Sequence, residues 1–141
     1  MVHKIKIYCH HTDCGGVVYY ANYLHFLEDA RTEFLAQRGI DIKELIQQGS
    51  FFVVSHQDVD YKAPAEYGDT LEITTQVKEV TGVRINLEHK IKKGGLILVA
   101  EARTTLAFVG RDFRPKPIPE EMREKISPPR RISPRGQFFL L

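Results

Sequence analysis

Cysteine is nearly absent from this sequence: Cys9 and Cys14 are the only two. Two thiols do not make the disulfide framework of a small secreted domain. Long apolar runs are missing as well, and none approaches the roughly 20 residues a membrane span needs. The opening residues, Met1-Val2-His3-Lys4-Ile5, hold no apolar stretch of signal-peptide length. A reducing, cytoplasmic setting is the expectation. Charge of one sign is scarce too. The formal net charge is +2 with the six histidines neutral, far from the basic excess of a nucleic-acid-binding domain. Nucleic acid is therefore not expected as a partner. No internal repeat is present. What remains is an ordinary globular balance over 141 residues, 43% hydrophobic and 27% charged, long enough for one domain with a real core.

Periodicity organises the chain. Ile5 and Ile7 alternate with Lys4, Lys6 and Tyr8, a short strand pattern. Cys9 to Gly16 is polar and ends in a glycine pair, a loop signal. From about Tyr20 to Arg38 the period changes. Tyr20, Tyr23, Leu24, Leu27, Ala30, Phe34 and Leu35 share one helical face, opposite Glu28, Asp29, Thr32, Glu33 and Gln37. This is a core-facing helix of about five turns, stopped at Gly39. Asp41 is placed to cap a second, short helix through Leu45 and Ile46.

After Gly49 the pattern is strand-like. Phe51 to Tyr61 is apolar and β-branched. Leu71 to Lys78 alternates, as does Val83 to Lys92, and Leu96 to Val109 is apolar on both phases, the mark of an interior strand. Thr81-Gly82 and Lys93-Gly94-Gly95 are turns. A short helix is expected over Glu120 to Ile126. Residues 127–141 read as an irregular, basic, proline-rich tail ending in Phe138-Phe139-Leu140-Leu141, an apolar end suited to docking. The layout is α+β, one domain over residues 1–126 with the tail beyond it.

One loop carries chemistry. Asp13 is followed by Gly15 and Gly16, and Val17-Val18-Tyr19-Tyr20 leads into the long helix. A helix start exposes unpaired backbone amides, and glycines let the backbone approach a ligand. A carbonyl there would have its developing oxyanion stabilised. A neighbouring carboxylate is placed to attack it or to deprotonate a water. On spacing alone, an aspartate before glycines is an ordinary turn or cap.

The run Tyr8-Cys9-His10-His11-Thr12-Asp13-Cys14-Gly15-Gly16-Val17-Val18-Tyr19-Tyr20-Ala21-Asn22-Tyr23 resembles the signature of the 4-hydroxybenzoyl-CoA thioesterase family, in particular its YbgC-like acyl-CoA thioesterase branch. Glu28 to Leu35 and Val59 to Asp69 resemble further segments of it. The resemblance extends from about Lys4 to Ile126. It implies a hotdog fold, in which an antiparallel sheet wraps one long helix. It implies a thioesterase acting on acyl-CoA or acyl-carrier-protein thioesters without a cofactor. It also implies a homodimer, or a dimer of dimers, with sites at the subunit interface. The family's loop aspartate falls on Asp13 and its oxyanion amide on Tyr20. YbgC-like members often carry His where this chain has Tyr20, as the 4-hydroxybenzoyl branch does Tyr. The amide is indifferent to that change, but a histidine's own role there is lost.

Around this pair, Gly16, Val18, Tyr19 and Asn22 are expected to shape the substrate site. Asn22 has an alternative reading as a loop-to-helix hydrogen bonder, and Glu28 as a solvated helix residue rather than a group orienting water or substrate. His56 lies in an otherwise apolar strand. It either lines the acyl pocket from a partner subunit or is a satisfied structural histidine. Lys62 and Arg84, with Arg103, are candidates for the phosphates of coenzyme A. Cys9, His10, His11, Asp13 and Cys14 form a competing metal-ligand set. Adjacent ligands in extended chain point to opposite faces and no second Cys/His cluster completes the set, so no metal is expected. A non-catalytic acyl- or CoA-binding module is the remaining alternative.

Overall fold

The computed structural model describes residues 2–127 and the backbone of two short strands beyond them. In chain order the elements are β1 (Val2–Lys6), a 3-10 turn (Cys9–His11), α1 (Asn22–Gln37), α2 (Ile42–Gln47), β2 (Phe51–Tyr61), β3 (Thr70–Val80), β4 (Arg84–Lys93), β5 (Ile97–Val109), α3 (Glu120–Ile126), β6 (Arg131–Ile132) and β7 (Phe138–Phe139). Most of the tail lies outside the described residues. Within it β6 and β7 pair antiparallel, where an irregular segment was expected.

Five strands form one sheet in the order β1-β3-β4-β5-β2, every pair antiparallel. Strand alternation gives the sheet two faces. Leu71, Ile73, Ile85, Leu87, Ile91, Ala100, Ala102, Leu106 and Phe108 point inward and are buried. On the other face Thr105, Arg103 and Glu101 of β5 stand opposite Asn86, Glu88 and Lys90 of β4. Gly94 and Gly95 both take positive φ, 59° and 72°, in the β4–β5 hairpin turn, where L side chains are strained.

Helix α1 fills the inner face. Its buried residues Tyr23, Phe26, Leu27, Ala30, Phe34 and Leu35 recur at three- and four-residue spacing. The stripe differs from expectation at two positions. Phe26 is buried, whereas Leu24 is 45% and Tyr20 62% exposed. The helix also starts at Asn22, so Tyr20 sits in the turn before it. Two apolar clusters result. One joins the N-terminal half of α1 to Ile7, Val18, Leu71, Ile73 and Ile91. The other joins Phe34 and Leu35 to Ile85, Leu106, Phe108, Ile118 and Ile126 of α3. Asp41 caps α2 through its carboxylate, which accepts the Lys43 N–H at 2.9 Å.

His89 stands mid-sheet on the inner face, fully buried, with Thr75 and Ala102 as its strand neighbours. Its Nδ1 lies 3.0 Å from the Thr75 hydroxyl, and Nε2 has no partner among the described residues. Burial, reinforced by the Arg31 charge, pushes the imidazole down to about 4.

Candidate active site

The loop from Tyr8 to Asn22 is tied down by its own backbone. The Tyr8 N–H donates to His11 Nδ1 at 2.9 Å, which occupies that nitrogen as an acceptor. Burial and the neighbouring His10 lower the His11 pKa, consistent with a neutral ring. The His11 carbonyl then accepts two bonds, from the Tyr19 N–H at 2.9 Å and from Asn22 Nδ2 at 2.8 Å. Asn22 is thus a loop-to-helix hydrogen bonder.

Asp13 sits at the tip of this loop. Its N–H donates to the Val17 carbonyl at 2.9 Å, and its own carbonyl accepts the Gly16 N–H at 3.2 Å. That closure needs φ of 83° at Gly16, which explains the glycine. The Asp13 carboxylate accepts the Gly15 N–H at 2.7 Å through Oδ1, an Asx turn that fixes the side chain. Among the described residues the other oxygen, Oδ2, accepts no hydrogen bond. Val18 is held from below, its N–H on the Ala65 carbonyl at 2.8 Å.

After Tyr19 the chain turns into α1 through 3-10-like bonds: Asn22 N–H to Tyr19 carbonyl, Tyr23 N–H to Tyr20 carbonyl, and Leu24 N–H to Ala21 carbonyl. No side chain caps the helix. The N–H groups of Tyr20 and Ala21 donate to no backbone carbonyl among the described residues. Both carry the partial positive charge of a helix start.

A groove of about 390 Å³ opens here. Asp13, Val17 and Val18 form one wall, Tyr20 and Tyr23 a second, and Tyr61, Lys62, Ala63 and Pro64 a third. The Tyr61 ring meets Tyr23 edge-on at 5.5 Å and Tyr20 at 6.5 Å. Burial raises the Tyr61 pKa and takes that of Tyr23 to about 12, so both hydroxyls stay protonated at neutral pH. The expected residues Asp13, Val18, Tyr20 and Lys62 come together in this groove. Gly16 shapes the loop behind it, and the Tyr19 ring meets Tyr20 at a tilt, 4.9 Å between centroids.

Four expected residues, Glu28, His56, Arg84 and Arg103, stay apart from the groove within one protomer. Glu28 is exposed on α1. Arg84 opens β4 and is exposed. The His56 side chain is 64% exposed, with Nε2 3.2 Å from Asp58. It lines a separate cavity of about 330 Å³ with Lys78, Asn86 and Arg103. A register shift between Val54 and His56 turns this part of β2 outward. Among the described residues no three His, Cys, Asp or Glu side chains are grouped to hold a metal. Sequence reasoning missed Tyr61 and Tyr23 as groove residues. Their only signal was an aromatic at the end of an apolar strand and one on the first turn of the helix.

An antiparallel sheet wrapped around one long helix, with a carboxylate loop at the helix's open end, defines a hotdog-fold protein. The family model of the thioesterase-like superfamily matches residues 9–126. The chain belongs to that superfamily. It is 35% identical to the acyl-CoA thioesterase YbgC of Haemophilus influenzae, over 84% of this chain and 88% of that protein. It is 33% identical to the acyl-CoA thioester hydrolase YbgC of Escherichia coli, over 84% of this chain and 89% of the other. Among solved structures, a gentisyl-coenzyme A thioesterase superimposes with a TM-score of 0.84 at 27% identity, covering 90% of this chain and all of that one.

Proposed function

We propose that this protein hydrolyses acyl-CoA thioesters, with Asp13 as base or nucleophile and the Tyr20 N–H as oxyanion donor. One observation carries the reading: Asp13, its carboxylate held by its own loop, and Tyr20, whose N–H is unpaired among the described residues, line a single groove. The thioester carbonyl lies with its oxygen on the amides, which stabilise the negative charge that develops there. Asp13 attacks from the other wall. Acting as base, it takes a proton from water, whose oxygen bonds to the carbonyl carbon as the C–S bond breaks. Acting as nucleophile, it forms an anhydride that water then opens. Either way the products are a carboxylic acid and a thiol. Solvent oxygen found in the Asp13 side chain after a single turnover in ¹⁸O-water would establish the second route, with water opening the anhydride at the Asp13 carbonyl carbon.

Lys62, at the groove's mouth, is assigned to a phosphate of coenzyme A. The outer edge of β2 pairs with no strand among the described residues. Eleven residues of open edge form a template for a second copy, and we assign a dimer through it, able to pair again. Glu28, His56 and Arg84 reach substrate only across such an interface. Cys9 and Cys14 are free and exposed, which suits the reducing cytoplasm we assign as its compartment. No helix among the described residues is long and apolar enough to cross a membrane.

Thiol release from a panel of short, long and aromatic acyl-CoAs tests the assignment. Wild type should turn over at least one of them and Asp13→Asn should not. Equal turnover by both would remove Asp13 from the mechanism. Bound coenzyme A without turnover of any acyl group would instead make the protein a binding module.

A further inference from the structure

We infer that Tyr61 is a positioning residue that clamps the oxyanion turn, an assignment that rests on the hydrolase reading above. The turn holding the Tyr20 and Ala21 amides lies outside the helix, so groups beyond the helix orient it. On its N-terminal side the His11 carbonyl anchors it through Tyr19 and Asn22. On its C-terminal side the Tyr20 carbonyl accepts the Tyr23 N–H at a long 3.3 Å. That same carbonyl accepts a second bond, from the Tyr61 hydroxyl at 3.1 Å.

The second bond comes from another layer of the fold. Tyr61 is the last residue of β2, and the next residue, Lys62, donates its N–H to the Val99 carbonyl of β5 at 2.8 Å. The hydroxyl therefore ties the turn to the sheet. Two consequences follow from peptide geometry. The Tyr20 carbonyl and the Ala21 N–H belong to one peptide group, and a bond accepted by the oxygen polarises that N–H. Fixing this peptide plane also fixes the ψ angle of Tyr20, and with it the relation between the two unpaired amides. The edge-on contacts to Tyr20 and Tyr23 hold the Tyr61 ring in place for the bond. Burial keeps the hydroxyl protonated and able to donate.

Tyr61 is 48% exposed, so removing its hydroxyl alone disturbs little packing. Tyr61→Phe keeps the ring and deletes the donor. On the best acyl-CoA, kcat should fall roughly three- to ten-fold, with KM and the urea midpoint unchanged. In ¹⁵N spectra the Ala21 amide proton should move upfield, while Gly39 at the far end of α1 stays still. Tyr61→Ala should lower kcat further. An unchanged kcat with an unmoved Ala21 resonance would overturn the clamp. A rise in KM with kcat retained would make Tyr61 a substrate contact instead. Asp13→Asn, measured alongside, separates the two readings. If it is inactive while Tyr61→Phe is normal, only the clamp falls. If it turns over normally, both fall.

Discussion

At its C-terminal end helix α1 is closed. The Gly39 N–H donates to the Ala36 carbonyl and the Ile40 N–H to the Leu35 carbonyl, the two bonds of a Schellman motif. Gly39 supplies the positive φ of 77°. Ile40 and Leu35 pack in the same buried cluster, and α3 covers them through Ile126. At its N-terminal end the same helix is open. Among the described residues no side chain caps it and the Tyr20 and Ala21 amides are unpaired, and Tyr20 stands exposed. One end is built for stability and the other is left open. Unpaired amides beside a fixed carboxylate are what an acyl-transfer site requires, so the open end is where function is assigned.

Substitutions at the two ends should separate activity from stability. The largest effect is expected at the open end. Asp13→Asn should lower kcat by about 10²- to 10⁴-fold, with thermal midpoint unchanged, as read by thiol release and calorimetry. At the closed end Phe34→Ala, 2% exposed in the wild type, should cost about 3–5 kcal/mol in urea unfolding, with activity retained under conditions where it is folded.

His89 lies between the ends and gives a pH test. Its folded-state pKa of about 4 lies below the 6.5 of a free imidazole. The neutral ring therefore contributes stability that is fully present above pH 6.5 and is lost as pH falls from there through about 4. The loss amounts to about 3 kcal/mol. Urea midpoints across that window should show it in wild type and not in His89→Gln. The smallest effect is Gly39→Ala, where the left-handed φ penalises a side chain by about 1 kcal/mol. Its kcat should equal that of wild type. A fall in kcat there would break the division between the ends.

Much of this was legible in the sequence because it is local. The helix stripe, the Asp41 cap, the hairpin glycines and the order of strands all follow from residue spacing. Asp13, Gly16 and Tyr20 were legible as a motif, although spacing alone reads Asp13 as a turn residue, and it does form an Asx turn. The failures are tertiary. Leu24 and Phe26 are both apolar near one edge of the stripe, and only the sheet's position decides which is buried. The bulge after Val54 shifts the phase of β2, so His56 in an apolar run ends on the solvated face. Tyr61 meets Tyr20 across 41 residues of chain, a pairing that no periodicity encodes.

The central claim is that the open end of α1 receives the thioester oxygen. Its most direct test is a ¹⁵N–¹H titration of the protein with a non-hydrolysable acyl-CoA ketone. The Tyr20 and Ala21 amides should shift most, with Asp13 and Gly15 beside them and Gly39 and Ile40 unmoved. Binding that leaves Tyr20 and Ala21 unshifted, or that shifts the closed end instead, would contradict it.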